Sequence, residues 1–355
     1  MWKGRVFAAI CAGSLLLPTT SAAQIPQPVK GTTPTRPSQE AGATNLPVFE
    51  FHSGLWINLH HVLYQQARER LKLVSARQEA VPGDDFRLEG IEKLSPSEAA
   101  AWNQAVGFYG REFAERDLQF NSDLVILKNR LEEWETEPTL ATSGLRPAVI
   151  QALEQAAPIY RARWWPEHDR ANRTWIAAAA PLVREYGVDL SRQLAAVYQA
   201  SWPSERIRVD VTVQANWAGA YTTLDPLRVT VSSTDPRNQG MAALEVLFHE
   251  ASHGIATSVS EAIARECRLR NKPIPRDLWH ALLFYTTGDV VKRAVKLPET
   301  CGGKLGDSYT PYAQRYGLYT RGWQNFQRLL ERYWQPYLDG KVEFDSALAR
   351  LVAAL

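Results

Sequence analysis

The stretch Met241-Ala-Ala-Leu-Glu-Val-Leu-Phe-His-Glu-Ala-Ser-His253 decides how this chain is read. Leu244, Leu247 and Phe248 recur at helical spacing, so the segment is expected to be a helix with one face in a core. His249 and His253 lie four residues apart, which makes them neighbours on one helix face. Both imidazoles can reach a single metal ion, with Glu250 projecting beside them. Zinc accepts neutral imidazole, and a catalytic zinc keeps one position open for water. A carboxylate next to that water can take its proton and pass it on. The chain has seven histidines in 355 residues, and two fall in this one turn. The plain alternative is a buried helix with two ordinary histidines.

Upstream, Ile207, Val209, Val211 and Val213 alternate with Arg208, Asp210 and Thr212. Period two with β-branched residues reads as a strand with one face buried. Residues 217–223 read as a second strand, and Leu227, Val229 and Val231 mark a third. Asp235-Pro236 and Asn238-Gln239-Gly240 then break the chain before the histidine helix. Downstream, a helix is expected over about 260–270, with Pro273 and Pro275 ending it. Asp277 is placed to cap another helix that runs through His280 to about Val295. From Tyr312 onward the chain is again helical and aromatic.

Residues from Phe49 to about Trp202 read as mostly helical, over about 58–78, 122–134, 147–160, 167–186 and 189–200. Ser95, Pro96 and Glu98 form a capping box that starts one more helix. The expected fold class is α+β, predominantly helical, with a small sheet followed by an active-site helix. The expected division is a signal peptide at 1–23, a flexible linker at 24–47, a helical region at 48–205 and a catalytic region at 206–355. The last two can form one body.

His249-Glu250-Ala251-Ser252-His253, preceded by a small sheet and followed by a helix with a further ligand candidate, resembles the zincin (HExxH) metallopeptidases. The resemblance covers about residues 206–296, and its specific part is the five-residue array. It implies that His249 and His253 bind Zn²⁺, that Glu250 is the general base, and that an edge strand holds extended substrate. The metzincin extension would need a third histidine where Val259 stands. One gluzincin branch places a glutamate where Lys272 stands. The pattern is nearer the gluzincin type, with the third ligand left open.

His280, Glu261, Glu266 and Asp289 are the candidates for that ligand. On a straight helix Glu261 would lie about 12 Å beyond His253 along the axis, so it serves only if the chain turns near Gly254. His280 starts a separate helix after a Pro-rich turn that lets the chain double back, which points to it first and to Glu261 next. Asp289 would then face elsewhere, as would Tyr285. Tyr309 and Tyr312 are candidate oxyanion donors, with packing as their plain reading. Tyr221 is a candidate cleft residue, and Glu245 a candidate partner for the His249 ring. His52, His60 and His61 read as core or solvated histidines, of which one can join the site. Residues 164–169, Trp-Trp-Pro-Glu-His-Asp, read as core.

The chain is 45% hydrophobic and 22% charged, a globular composition. Its net charge of +2 gives no reason to expect nucleic acid or an anionic membrane. Lys3 and Arg5, the apolar run from Val6 to Leu17 and the small residues Ser21-Ala22-Ala23 read as an export signal, too short to span a bilayer. That places the protein in the periplasm or outside the cell. There, Cys267 and Cys301 can pair. The expected function is zinc-dependent hydrolysis of a peptide or protein, through zinc-bound water activated by Glu250. The alternative is a zinc-binding envelope protein on the same scaffold without peptidase activity.

Overall fold

The alternating valines of β2 (Ile207–Thr212) lie inside a four-stranded sheet. A computed structural model describes residues 48–73, 88–295 and 309–355. The proposed leader, the linker and Cys301 lie outside these. Among the described residues the strand order is β1-β2-β4-β3, with β1 at Phe49–His52, β3 at Ala220–Leu224 and β4 at Leu227–Ser232. β1 and β4 run parallel to β2 on either side of it, and β3 runs antiparallel to β4 at the edge.

Sequence reading missed β1. It has only four residues, and it becomes a strand by pairing Phe49 with Ile207, far along the chain. That pairing ties the start of the helical region into the sheet. The described residues from 48 to 355 fall in one compact unit.

The helical region consists of α1 (Leu55–Arg70), α2 (Pro96–Glu112), α3 (Ser122–Glu133), α4 (Pro147–Arg163) and α5 (Trp165–Val197). The capping box at Ser95 and Glu98 forms as expected, with both reciprocal hydrogen bonds. The two helices expected at 167–186 and 189–200 are one helix, α5. Gly187 does not break it. A Cβ there would come within 3.2 Å of Val48, so its bare backbone lets α5 lie close against the entry to β1.

The sheet separates two cores. Val209, Val211, Val229 and Val231 pack with α5 and the histidine helix in one. Tyr221, Val213 and Ala215 join α1–α4 in the other. On β3 successive side chains go to opposite sides, Ala220 to the first core and Tyr221 to the second.

After the sheet come α6 (Met241–Ser252), α7 (Thr257–Leu269) and α8 (Leu278–Ala294). α6 is buried along its length, and α8 returns to pack against α6 and α5. Asp277 precedes α8 but makes no side-chain capping bond, contrary to expectation. The remaining chain forms short pieces, α9 (Tyr312–Arg315), α10 (Gln324–Leu329), a π turn at Leu330–Trp334 and α11 (Gln335–Leu338), then α12 (Phe344–Ala353). The fold is α+β and predominantly helical. No helix among the described residues is long and apolar enough to cross a membrane.

Candidate metal centre

α6 carries His249, and His253 follows directly at the helix's C-terminal end. The chain turns at 253–256, and Gly254 permits that turn to sit against β4: a Cβ there would meet Leu227 at 2.8 Å. α8 then brings His280 to the other two. The ligand atoms of His249, His253 and His280 lie within 4.8 Å of one another. The Nε2 atoms of His249 and His280 are 3.2 Å apart. Two nitrogens on a tetrahedral zinc, each at about 2.0–2.1 Å, stand about 3.3 Å apart. The spacing of this pair therefore fits such an ion.

Burial holds all three imidazoles in the neutral form that a metal requires. His249 is pushed well below the ordinary histidine value by burial and then by its two neighbours. Burial and His280 lower His253 to about 3, and burial lowers His280 to about 4. Aromatic rings fix their orientation. Phe284, one turn after His280 on α8, stacks on His249 at 3.7 Å, and Trp279 stacks on His280 at 5.0 Å.

Glu250 lies beside the group, its Oε2 3.9 Å from Nε2 of His253. The hydroxyl of Thr222, on β3, is 2.7 Å from that same oxygen and 2.8 Å from the backbone oxygen of Glu250. Burial raises the Glu250 pKa to about 7, and Thr222 opposes the shift. Thr222 was not singled out from sequence. The period-two pattern puts it on the face opposite Tyr221, but only the register of β3 on β4 brings it over α6.

The other candidates are elsewhere. Glu261 is exposed on α7, Glu266 binds Arg270, and Asp289 pairs with Arg293. The hydroxyl of Tyr285 donates to Gln335, away from the histidines as expected. His52 meets Glu135, His60 meets Tyr109, and His61 lies between Ile57 and Tyr221. Tyr221 is thus buried behind the sheet and does not line a cleft. Trp164 packs on Trp102 in the core, as read. Cys267 is buried and has no disulfide partner among the described residues.

Glu245 does not hold the His249 ring. Its Oε2 accepts hydrogen bonds from the Tyr309 hydroxyl at 2.6 Å and the Tyr312 amide at 2.9 Å, while Nδ1 of His249 has no partner among the described residues. The one proton of the Tyr309 hydroxyl is therefore engaged by Glu245. Tyr312 stacks on Phe284, completing a column of three rings with His249. Comparison of the chain with protein-family models, curated proteins and solved structures gives no match.

Proposed function

We propose that the chain is an exported zinc-dependent hydrolase, a metallopeptidase acting on peptide or protein substrates by zincin-like chemistry. The observation that carries this reading is the group of three neutral imidazoles, one buried and two half-buried, with a carboxyl at its side. His249, His253 and His280 would hold the ion. When bound, zinc supplies a Lewis acid that polarises a carbonyl and makes water more acidic.

Glu250 accepts the proton of the attacking water and delivers it to the leaving amine. Burial raises the carboxyl's affinity for a proton, and the Thr222 hydrogen bond opposes that shift. Thr222 holds the carboxyl against β3. Because β3 is an edge strand, an extended peptide pairing along it would run past Glu250. The leader-like sequence at residues 1–23 supports export to the periplasm or beyond.

The three-histidine set, in place of the two histidines and glutamate of the gluzincins, also supports the second reading: a zinc-binding protein without peptidase activity. One experiment separates them. Zinc content and cleavage of a broad quenched-fluorescence peptide library are measured on the wild type and on Glu250→Gln. One zinc in both, with cleavage only in the wild type, is the expected result. Zinc without cleavage in either favours the second reading, and absence of zinc overturns both.

A further inference from the structure

Two indole rings stand at the partly exposed side of the histidine group. Trp279 lies parallel to His280 and edge-on to His253, at 5.0 and 5.5 Å between centroids. Trp323 arrives from a different part of the chain. Gly322, at φ 117°, ends the turn Tyr319–Arg321 in a backbone conformation that favours glycine, and Trp323 follows directly. Its ring is 5.7 Å from His280 and 6.1 Å from Phe284. Phe284 itself is taken up between His249 and Tyr312. The two indoles are only partly covered.

Large flat apolar surface left open beside a polar, metal-binding group is the usual make-up of a small-molecule or side-chain pocket. Indole faces prefer another ring, stacked or edge-on. Asp277, exposed at the start of α8, stands three positions before His280. The inner carboxyl, Glu250, is occupied by Thr222. The two rings therefore favour an apolar occupant, and Asp277 offers the competing possibility of a cationic one.

We propose that Trp279 and Trp323 form a subsite for an aromatic side chain of the substrate, next to the bond that is cut. The proposal rests on the metal-centre reading above and names its substrate class. A phenyl group stacked on one or both indoles should gain about tenfold in affinity.

The test uses zinc-loaded protein and calorimetric titration with four hydroxamates: acetohydroxamate and its phenylpropionyl, succinyl and aminopropionyl counterparts. The phenyl compound is expected to bind at least about tenfold more tightly than acetohydroxamate, with the charged pair no better than acetohydroxamate. In Trp323→Ala the phenyl advantage should fall to about threefold or less, and in Trp323→Phe it should persist. Trp323→Leu, which keeps apolar bulk, guards against misfolding of the alanine variant and should lose most of the ring preference.

Equal binding of phenyl and methyl compounds by the wild type overturns the proposal. So does tightest binding of the aminopropionyl compound, which would give the site to Asp277. An undiminished phenyl advantage in both Trp323→Ala and Trp279→Ala also overturns it. A wild type that takes up no zinc defeats the metal-centre reading itself and the subsite with it. Zinc uptake with no phenyl preference defeats the subsite alone.

Discussion

The Thr222 hydroxyl stands 2.7 Å from Oε2 of Glu250, both side chains buried between an edge strand and the histidine helix. A hydroxyl has one proton, so it donates either to this carboxyl or to the Glu250 backbone oxygen 2.8 Å away. Donation to an ionised, buried carboxylate is worth about 1.5–3 kcal/mol. Thr222→Val keeps the shape and removes the donor. It should reduce turnover by roughly tenfold or more while zinc content stays at the wild-type level, and Thr222→Ser should restore most of the loss. Steady-state kinetics with parallel metal analysis checks this. Wild-type turnover in Thr222→Val would remove Thr222 from the reaction.

His280 and Glu261 make opposite predictions about metal affinity. His280 comes within 3.2 Å of His249, nitrogen to nitrogen, whereas Glu261 is exposed on α7. Loss of a mere hydrogen-bonding partner of a ligand costs about 10- to 100-fold in affinity. His280→Ala removes a ligand and should cost more than about 100-fold, read by competition with a chromogenic chelator. Glu261→Ala should bind zinc as the wild type does. The reverse outcome would reassign the third ligand.

The placement of these residues shows how far the sequence could be read. His249, Glu250 and His253 were legible because a five-residue spacing on an apolar helix is a local signal. His280 was legible from the turn at Pro273–Pro275 and the amphipathic run after it. Thr222 was not, because its role depends on which residue of β3 faces α6. That follows from the pairing of Thr222 with Val229, not from either strand alone. Trp323 and β1 were missed for the same reason: each acquires its setting from a partner far along the chain. Glu245 was placed one turn from His249 correctly and given the wrong partner. The 309–312 segment that claims it has no local sign of where it docks.

His168 supplies a pH dependence away from the metal group. Its Nδ1 lies 2.8 Å from the Tyr160 hydroxyl, and burial lowers its pKa from 6.5 to about 4. The folded state therefore binds fewer protons than the unfolded state between these values. The stabilising contribution is fully present above pH 6.5 and is lost as pH falls toward 4. The slope from this one group is at most about 1.4 kcal/mol per pH unit, reduced by its partial exposure. In urea titrations at pH 7 and 5, His168→Gln should narrow the stability difference between the two conditions. An unchanged difference would show that His168 does not titrate in this way.

Glu245 fastens the segment 309–312 to the histidine helix, and Gly288 makes room for the contact. A Cβ at Gly288 would fall 2.7 Å from Cβ of Pro311 and 3.1 Å from Oε1 of Glu245. Gly288→Ala should therefore push α8 and Pro311 apart and cost about 1–3 kcal/mol, as overpacked sites do. Glu245→Ala strips the acceptor from the Tyr309 hydroxyl and the Tyr312 amide, and the buried Tyr312 amide left unpaired costs about 1–3 kcal/mol, the half-buried hydroxyl less. Tyr309→Phe removes one donor only and should lose the smaller amount. The distinguishing measurement is hydrogen exchange at the Tyr312 amide. It should speed up in Glu245→Ala and stay slow in Tyr309→Phe, since only the first variant removes the acceptor that protects it. Equal exchange in all three proteins would mean that the Tyr312–Phe284–His249 stack, not Glu245, holds this segment in place.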